Sequence, residues 1–176
     1  MRSGAWIQTY SGIQFWPMDA RPEEIVIEDI AHALSMLCRF NGHCRQFYSV
    51  AEHSVLVSGV VPPEQARWGL LHDAAEAYLS DIPKPVKREL PAFHPWEDRL
   101  LAVIATRFGL DPDHPPEAVK QADMALLATE KSVLMGPEPA PWRDLPAPVP
   151  GLEILALSPR EAKAFFLARF AALFPV

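Results

Sequence analysis

The sequence predicts a single, mostly helical domain opened by a short β-hairpin, and three observations carry that expectation. Apolar residues recur at helical spacing through most of the chain from Ile27 onward, strand-forming residues flank one early turn, and prolines fall between the apolar runs. With 176 residues and 49% hydrophobic content, the chain has enough length and apolar surface for one core.

The hairpin is expected within residues 1–24, where "WIQTYSGIQFWP" places β-branched and aromatic residues on both sides of Ser11-Gly12. Ile27, Ile30, Ala31, Leu34 and Leu37 then mark a helix with one buried stripe, and Asn41-Gly42 interrupts it. "VAEHSVLVSGVV" and "EQARWGLLHDAAEAYL" read as two further helices, folded into a hairpin by Pro62-Pro63. Pro83 and Pro85 end the second of these and admit a short helix. "WEDRLLAVIATRFGL" and "PEAVKQADMALLATEKSVLM" are strong amphipathic helices separated by "DPDHPP". Residues 136–151 hold six prolines and no periodicity, which suits a surface strap. The last helix, over 158–174, is announced by Ser158 as N-cap, Pro159 at the first position and Glu161 as the acid of a capping box.

A net charge of −6 provides no basic footprint for a nucleic-acid polymer or an anionic membrane, although one local cationic pocket for a phosphate is compatible with it. No run approaches eighteen apolar residues, and "MRSGAWIQTYSG" lacks the apolar core of a signal peptide. Cys38 and Cys44 form neither a Cys-x-x-Cys array nor a disulfide framework and read as reduced thiols, so a cytoplasmic protein is expected.

The chemistry concentrates in "LLHDAAEAYLSD", residues 70–81. A His-Asp pair alone carries little weight, since six histidines and nine aspartates produce one by chance in roughly a third of such sequences. His53 changes the balance. It lies nine residues before Pro62, and His72 nine after Pro63, so each imidazole sits about 13 Å from the same bend and the two are level. Helices packed about 8–10 Å apart can point both rings at one ion. Asp73 and Glu76 follow His72 by about 100° and 40° of helix rotation, so all three are expected to face one cleft. Asp123, an aspartate in a largely apolar helix, is the natural fourth ligand; the alternative is a solvated position beside Lys120 and Gln121.

The expected metal ligands are therefore His53, His72, Asp73 and Asp123. Two imidazoles with two carboxylates suit one divalent transition ion, Mn²⁺, Fe²⁺, Co²⁺ or Zn²⁺, better than Mg²⁺. A six-coordinate ion with four protein ligands keeps two positions for water and a substrate oxygen, as metal-assisted hydrolysis requires. Glu76 could orient or deprotonate that water and Asp81 hold a second water or a substrate hydroxyl, although a helix-surface pair and a turn residue are the plain alternatives. Arg39 or Arg45, on either side of Asn41-Gly42, could neutralise a phosphate, with His43 as a further polar contact. His32, His94 and His114 read as surface or capping residues, and Phe40, Trp68 and Tyr78 as core.

These residues resemble a known pattern. His53, "HDAAE" at 72–76 and Asp123 look like the H…HD…D signature of the HD-domain metal-dependent phosphohydrolases, and the likeness is closer to their bacterial 5′-deoxynucleotidase branch. "CRFNGHCRQFYSVAEHS" is similar to that branch's arginine-aromatic pair ahead of the first metal histidine, which implies that Arg39 and Phe40 line the substrate pocket. "LLHDAAEAYLSDIPKPVK" resembles its central motif almost throughout, with Glu76 and Asp81 on the catalytic acidic positions. The likeness runs from about residue 27 to 135, although the interval from His53 to His72 is shorter than in most of that superfamily.

The resemblance implies an HD-domain helical bundle and hydrolysis of a nucleotide phosphate ester, with a (deoxy)nucleoside 5′-monophosphate as favoured substrate. Arg39 and the cation would share the charge of the phosphoryl oxygens. The alternatives are a (deoxy)nucleoside triphosphate triphosphohydrolase, which the same superfamily contains, and a catalytically inactive nucleotide-binding regulator. A nucleotide is the expected partner, with no nucleic-acid polymer and no membrane, and the apolar helix faces leave a homo-oligomer open.

Overall fold

Helix α2 (Val50–Val60) is the axis of the fold, with eight of its eleven residues buried, including the polar Glu52, His53, Ser54 and Ser58. Ser49 caps it by accepting the Glu52 N–H on its hydroxyl. The computed structural model describes residues 2–113 and 115–175; His114 lies outside the described residues. Helix α1 (Ile27–Met36) buries the expected stripe through Ile30, Ala31 and Leu34. Helix α3 (Ala66–Leu71) runs back along α2 after the Pro62-Pro63 turn, so that Gly69 meets Ser58 while His72 meets His53. The glycine is required there: a Cβ at Gly69 would lie 2.9 Å from Ser58 Cα.

Two short helices follow, α4 (Glu76–Leu79) and α5 (Lys84–Arg88), then the long α6 (Phe93–Arg107) and α7 (Glu117–Leu134). Helix α8 (Pro159–Leu173) begins with the anticipated Ser158–Glu161 capping box and packs on α1, α2 and α3 through Ala162 and Phe166. One core gathers Phe15, Leu34, Leu70, Leu71, Ile104 and Phe166, and a second gathers Val57, Trp68, Val119 and Leu126.

The hairpin exists in short form. Strands β1 (Ile7–Gln8) and β2 (Gln14–Phe15) pair antiparallel with Ile7 opposite Phe15, across a turn in which Gly12 adopts φ +86°. Asp29 of α1 ties the hairpin down by accepting both the Ser11 N–H (2.6 Å) and the Ser11 hydroxyl (2.8 Å). Residues 136–151 contain no helix or strand, as expected, and the Val149 N–H donates to Thr129 Oγ1 at 2.8 Å.

One expectation needs correction. The continuous helix expected over 64–79 is interrupted at the His-Asp pair: Ala74, Glu76, Ala77 and Tyr78 each donate their N–H three residues back, not four. Such winding advances about 120° per residue. Glu76 therefore does not sit one α-helical turn above His72, and its side chain takes a different course.

Candidate metal centre

The hairpin of α2 and α3 brings the His53 and His72 rings to 5.3 Å between centroids. Each ring spends its Nδ1 on a fixed protein oxygen. His72 Nδ1–H donates to the Gly69 carbonyl at 2.8 Å, and His53 Nδ1–H donates to Glu130 Oε1 at 2.6 Å. Both Nε2 atoms are thereby turned toward the same place, and both are buried without a hydrogen-bond partner. Two orphaned imidazole nitrogens facing each other are costly unless something else binds them.

Carboxylate oxygens close the gap. Asp123 Oδ1 lies 3.2 Å from His53 Nε2, and Asp73 Oδ2 lies 3.2 Å from His72 Nε2 and 3.6 Å from His53 Nε2. One ligand atom each from His53, His72 and Asp123 falls within 4.8 Å of the others, so these three could hold a metal ion. Asp73, on the rim of that triple, faces the same two nitrogens. The carboxylates around the two rings favour positive charge at this place. Burial raises the Asp73 and Asp123 carboxyls, but the neighbouring histidines outweigh it and hold both below the usual range. At His53, burial and the Arg39 charge oppose a proton, while Glu130 and Asp123 prevail and hold its pKa at about 9.

Sequence reasoning missed Glu130, the orienting residue of this centre. It sits two turns after Asp123 on α7, hence on the same face, and is fully buried. Its Oε1 accepts from His53 Nδ1 and from the Tyr48 hydroxyl at 2.9 Å; its Oε2 accepts from Arg39 Nε at 3.0 Å and forms an ion pair with Arg39 Nη2 at 2.9 Å. Burial disfavours the charge, but Arg39 and His53 overcome it and hold the carboxyl down at about 2. A carboxylate behind a histidine in this way fixes its tautomer and strengthens it as a ligand. The i, i+7 spacing from Asp123 was the available signal.

Arg39 is buried, and its remaining nitrogen, Nη1, faces Asp73 Oδ2 at 3.9 Å. It reaches the site in a sharp turn in which Phe40 and Asn41 both adopt positive φ, +57° and +53°, a strained state for a phenylalanine. The Phe40 ring is half-buried and lies 6.4 Å from that of Trp142 in the strap. His43 is exposed at the end of the turn, and Arg45 is exposed beside Gly136. Neither joins the cluster's contacts. Trp68 is core, and Tyr78 stacks on Phe15 at 4.2 Å. His32 stacks on Tyr10, and His94 is exposed near Glu97.

Glu76 is buried, and its Oε1 lies 3.4 Å from Lys87 Nζ, not on either histidine. Its Oε2 is buried with no partner. Burial, reinforced by Asp73 and Asp81, raises its carboxyl well above the usual range against the opposing Lys87 and Arg39 charges. Asp81 is raised as well, first by burial and then by Asp73, with Arg39 and Lys87 opposing. The arrangement thus joins a set of metal-competent ligands to two carboxyl groups that hold protons more readily than free ones, the pairing hydrolysis uses.

Among the described residues no helix is long and apolar enough to cross a membrane. No protein-family model matches the chain. It is 43% identical over 169 residues to the uncharacterized protein YfdR of Escherichia coli K12, covering 94% of each chain. It is 37% identical to the uncharacterized protein RCAP_rcc00048 of Rhodobacter capsulatus, covering 94% of this chain and 93% of the other. Likeness of this degree over nearly the whole of both partners shows that the chain belongs to the same family as YfdR and RCAP_rcc00048.

Proposed function

We propose that the protein is a cytoplasmic, metal-dependent phosphohydrolase of the HD-domain type that acts on nucleotides, with (deoxy)nucleoside 5′-monophosphates as its substrates. The observation that carries this reading is the pair of buried, unpartnered nitrogens, His53 Nε2 and His72 Nε2, converging with the oxygens of Asp123 and Asp73. His53, His72, Asp73 and Asp123 would hold the ion. When bound, a divalent transition ion supplies Lewis-acid polarisation of a phosphoryl oxygen and acidifies water.

The chain's own groups divide the remaining work. Glu76 accepts a proton from water as the water oxygen bonds to phosphorus. The ester P–O bond breaks, the proton held by Glu76 passes to the leaving nucleoside oxygen, and inorganic phosphate results. Arg39, held on one edge by Glu130, keeps Nη1 toward the site, where it balances negative charge on the phosphoryl group. Phe40, on the adjoining turn, lines the approach to the pocket with Trp142, and Asp81 holds a water or a sugar hydroxyl.

A nucleotide panel assayed with Mn²⁺, Co²⁺, Zn²⁺ and Mg²⁺, with products separated chromatographically, tests the reading. Inorganic phosphate and nucleoside from a monophosphate support it. Intact triphosphate released from dATP or dGTP would reassign the protein as a triphosphohydrolase, and nucleotide binding without turnover would make it a regulator.

A further inference from the structure

Lys87 lies on α5, eleven residues beyond Glu76, and is mostly buried despite its charge. Its Nζ donates to Glu97 Oε1 of α6 at 2.6 Å and reaches Glu76 Oε1 at 3.4 Å. The methylene stem and head pass Phe93, with Nζ 5.4 Å from the ring centroid. A lysine commonly extends its ammonium into water, and burying one without function is expensive. Here the shorter bond, to Glu97, anchors it. The longer one leaves Glu76 with one oxygen tethered and the other, Oε2, buried and free of any protein partner.

We infer that Lys87, braced by Glu97, is the positioning residue of Glu76: it holds Oε1 so that Oε2 is the oxygen presented to the reacting water. The inference rests on the phosphohydrolase reading and adds two residues to it, drawn from helices that carry none of the ligands. The Glu97 bond already neutralises Lys87, so the longer contact to Glu76 is not required to pair the ammonium. An orphaned oxygen inside a buried carboxylate is the mark of a group kept for something that arrives later. The two tethers, one to each of two acids on different helices, join α5 to α4 and to α6.

The test is steady-state hydrolysis of deoxynucleoside 5′-monophosphates by the full-length protein loaded with the ion that supports wild-type turnover. Lys87→Met is expected to lower kcat by about tenfold or more while KM and metal content stay at wild-type values. Lys87→Arg should restore part of the loss, and Lys87→Met should add nothing in a Glu76→Gln background. Wild-type kcat in Lys87→Met overturns the positioning role and leaves the hydrolase reading standing. A metal-loaded wild-type protein that turns over no nucleotide overturns both. Should Lys87→Met fail to fold, Glu97→Gln carries the same test: a fall in kcat at constant metal content supports the tether, and unchanged kcat overturns it.

Discussion

The two walls of the candidate metal centre are built on opposite principles. On the α2–α7 wall, His53 and Glu130 are fully buried, and both oxygens of Glu130 are occupied by Tyr48, Arg39 and His53 itself. On the facing wall, residues 72–76 wind through turns, the His72 Nε2 and Glu76 Oε2 atoms have no hydrogen-bond partner, and the carboxyls of Glu76 and Asp81 hold protons more readily than free ones. Apart from His53 Nε2, which faces the site, one wall is saturated, and the other is left wanting. Saturation fixes a geometry, while unmet polar groups are tolerated only where a ligand or a reaction completes them. Both walls carry candidate ligands, and the contrast separates the wall whose ligand His53 is backed by a fully paired carboxylate from the wall that sets His72 and Asp73 beside the unpaired acid Glu76.

The comparison can be broken most directly at Glu76. Glu76→Gln should lower kcat by roughly 10²–10⁴ with metal content unchanged, as measured by turnover and elemental analysis together. If the ion is lost instead, Glu76 helps to hold the ion alongside His72 and Asp73, and its assignment to the reacting water fails.

Acid titration probes the saturated wall. The Glu130 pKa in the fold, about 2, lies below its value in an unfolded chain, about 4.3. Its contribution is therefore complete above the unfolded value and disappears as pH falls through that window toward 2. On the order of 3 kcal/mol of stability should be lost between about pH 5 and pH 2, and Glu130→Gln should flatten this part of a denaturation profile. At neutral pH the same substitution removes the charge behind His53. It should weaken metal binding by about 10–100-fold, read by competition with a chelating dye.

The smallest effect concerns how the walls are joined. Gly69→Ala would drive a methyl against the Ser58 backbone, shifting α3 relative to α2. A loss of about 1–3 kcal/mol in chemical denaturation is expected, with weaker metal binding because the two imidazoles no longer sit level. An alanine variant with wild-type stability would show that the helices tolerate more separation than their contact suggests.

Much of this molecule could be read directly. The level placement of His53 and His72 followed from equal spacing about Pro62-Pro63, and the rings do meet. Asp123 was singled out by the cost of a carboxylate in an apolar helix, and it stands beside His53. The capping box at Ser158, the hairpin at Ser11-Gly12 and the irregular strap were also legible, because each depends on residues within a few positions of one another. What escaped was long-range. Glu130 contacts Arg39 and His53, 91 and 77 positions away, and Glu52 accepts the N–H groups of Leu155, Ala156 and Leu157, more than a hundred positions on. The break at residues 72–75 was missed because helical periodicity records which side chains face inward and is insensitive to a local change from four-residue to three-residue winding.

Local spacing alone determined most of the helices, the turns between them and the candidate ligands, since periodicity, caps and proline punctuation act over a few bonds. Only tertiary packing decided which buried groups would find partners. Glu130 is saturated and Glu76 is half-tethered because hydrogen bonding between distant segments depends on where the fold sets them down, and no short-range pattern encodes that distance.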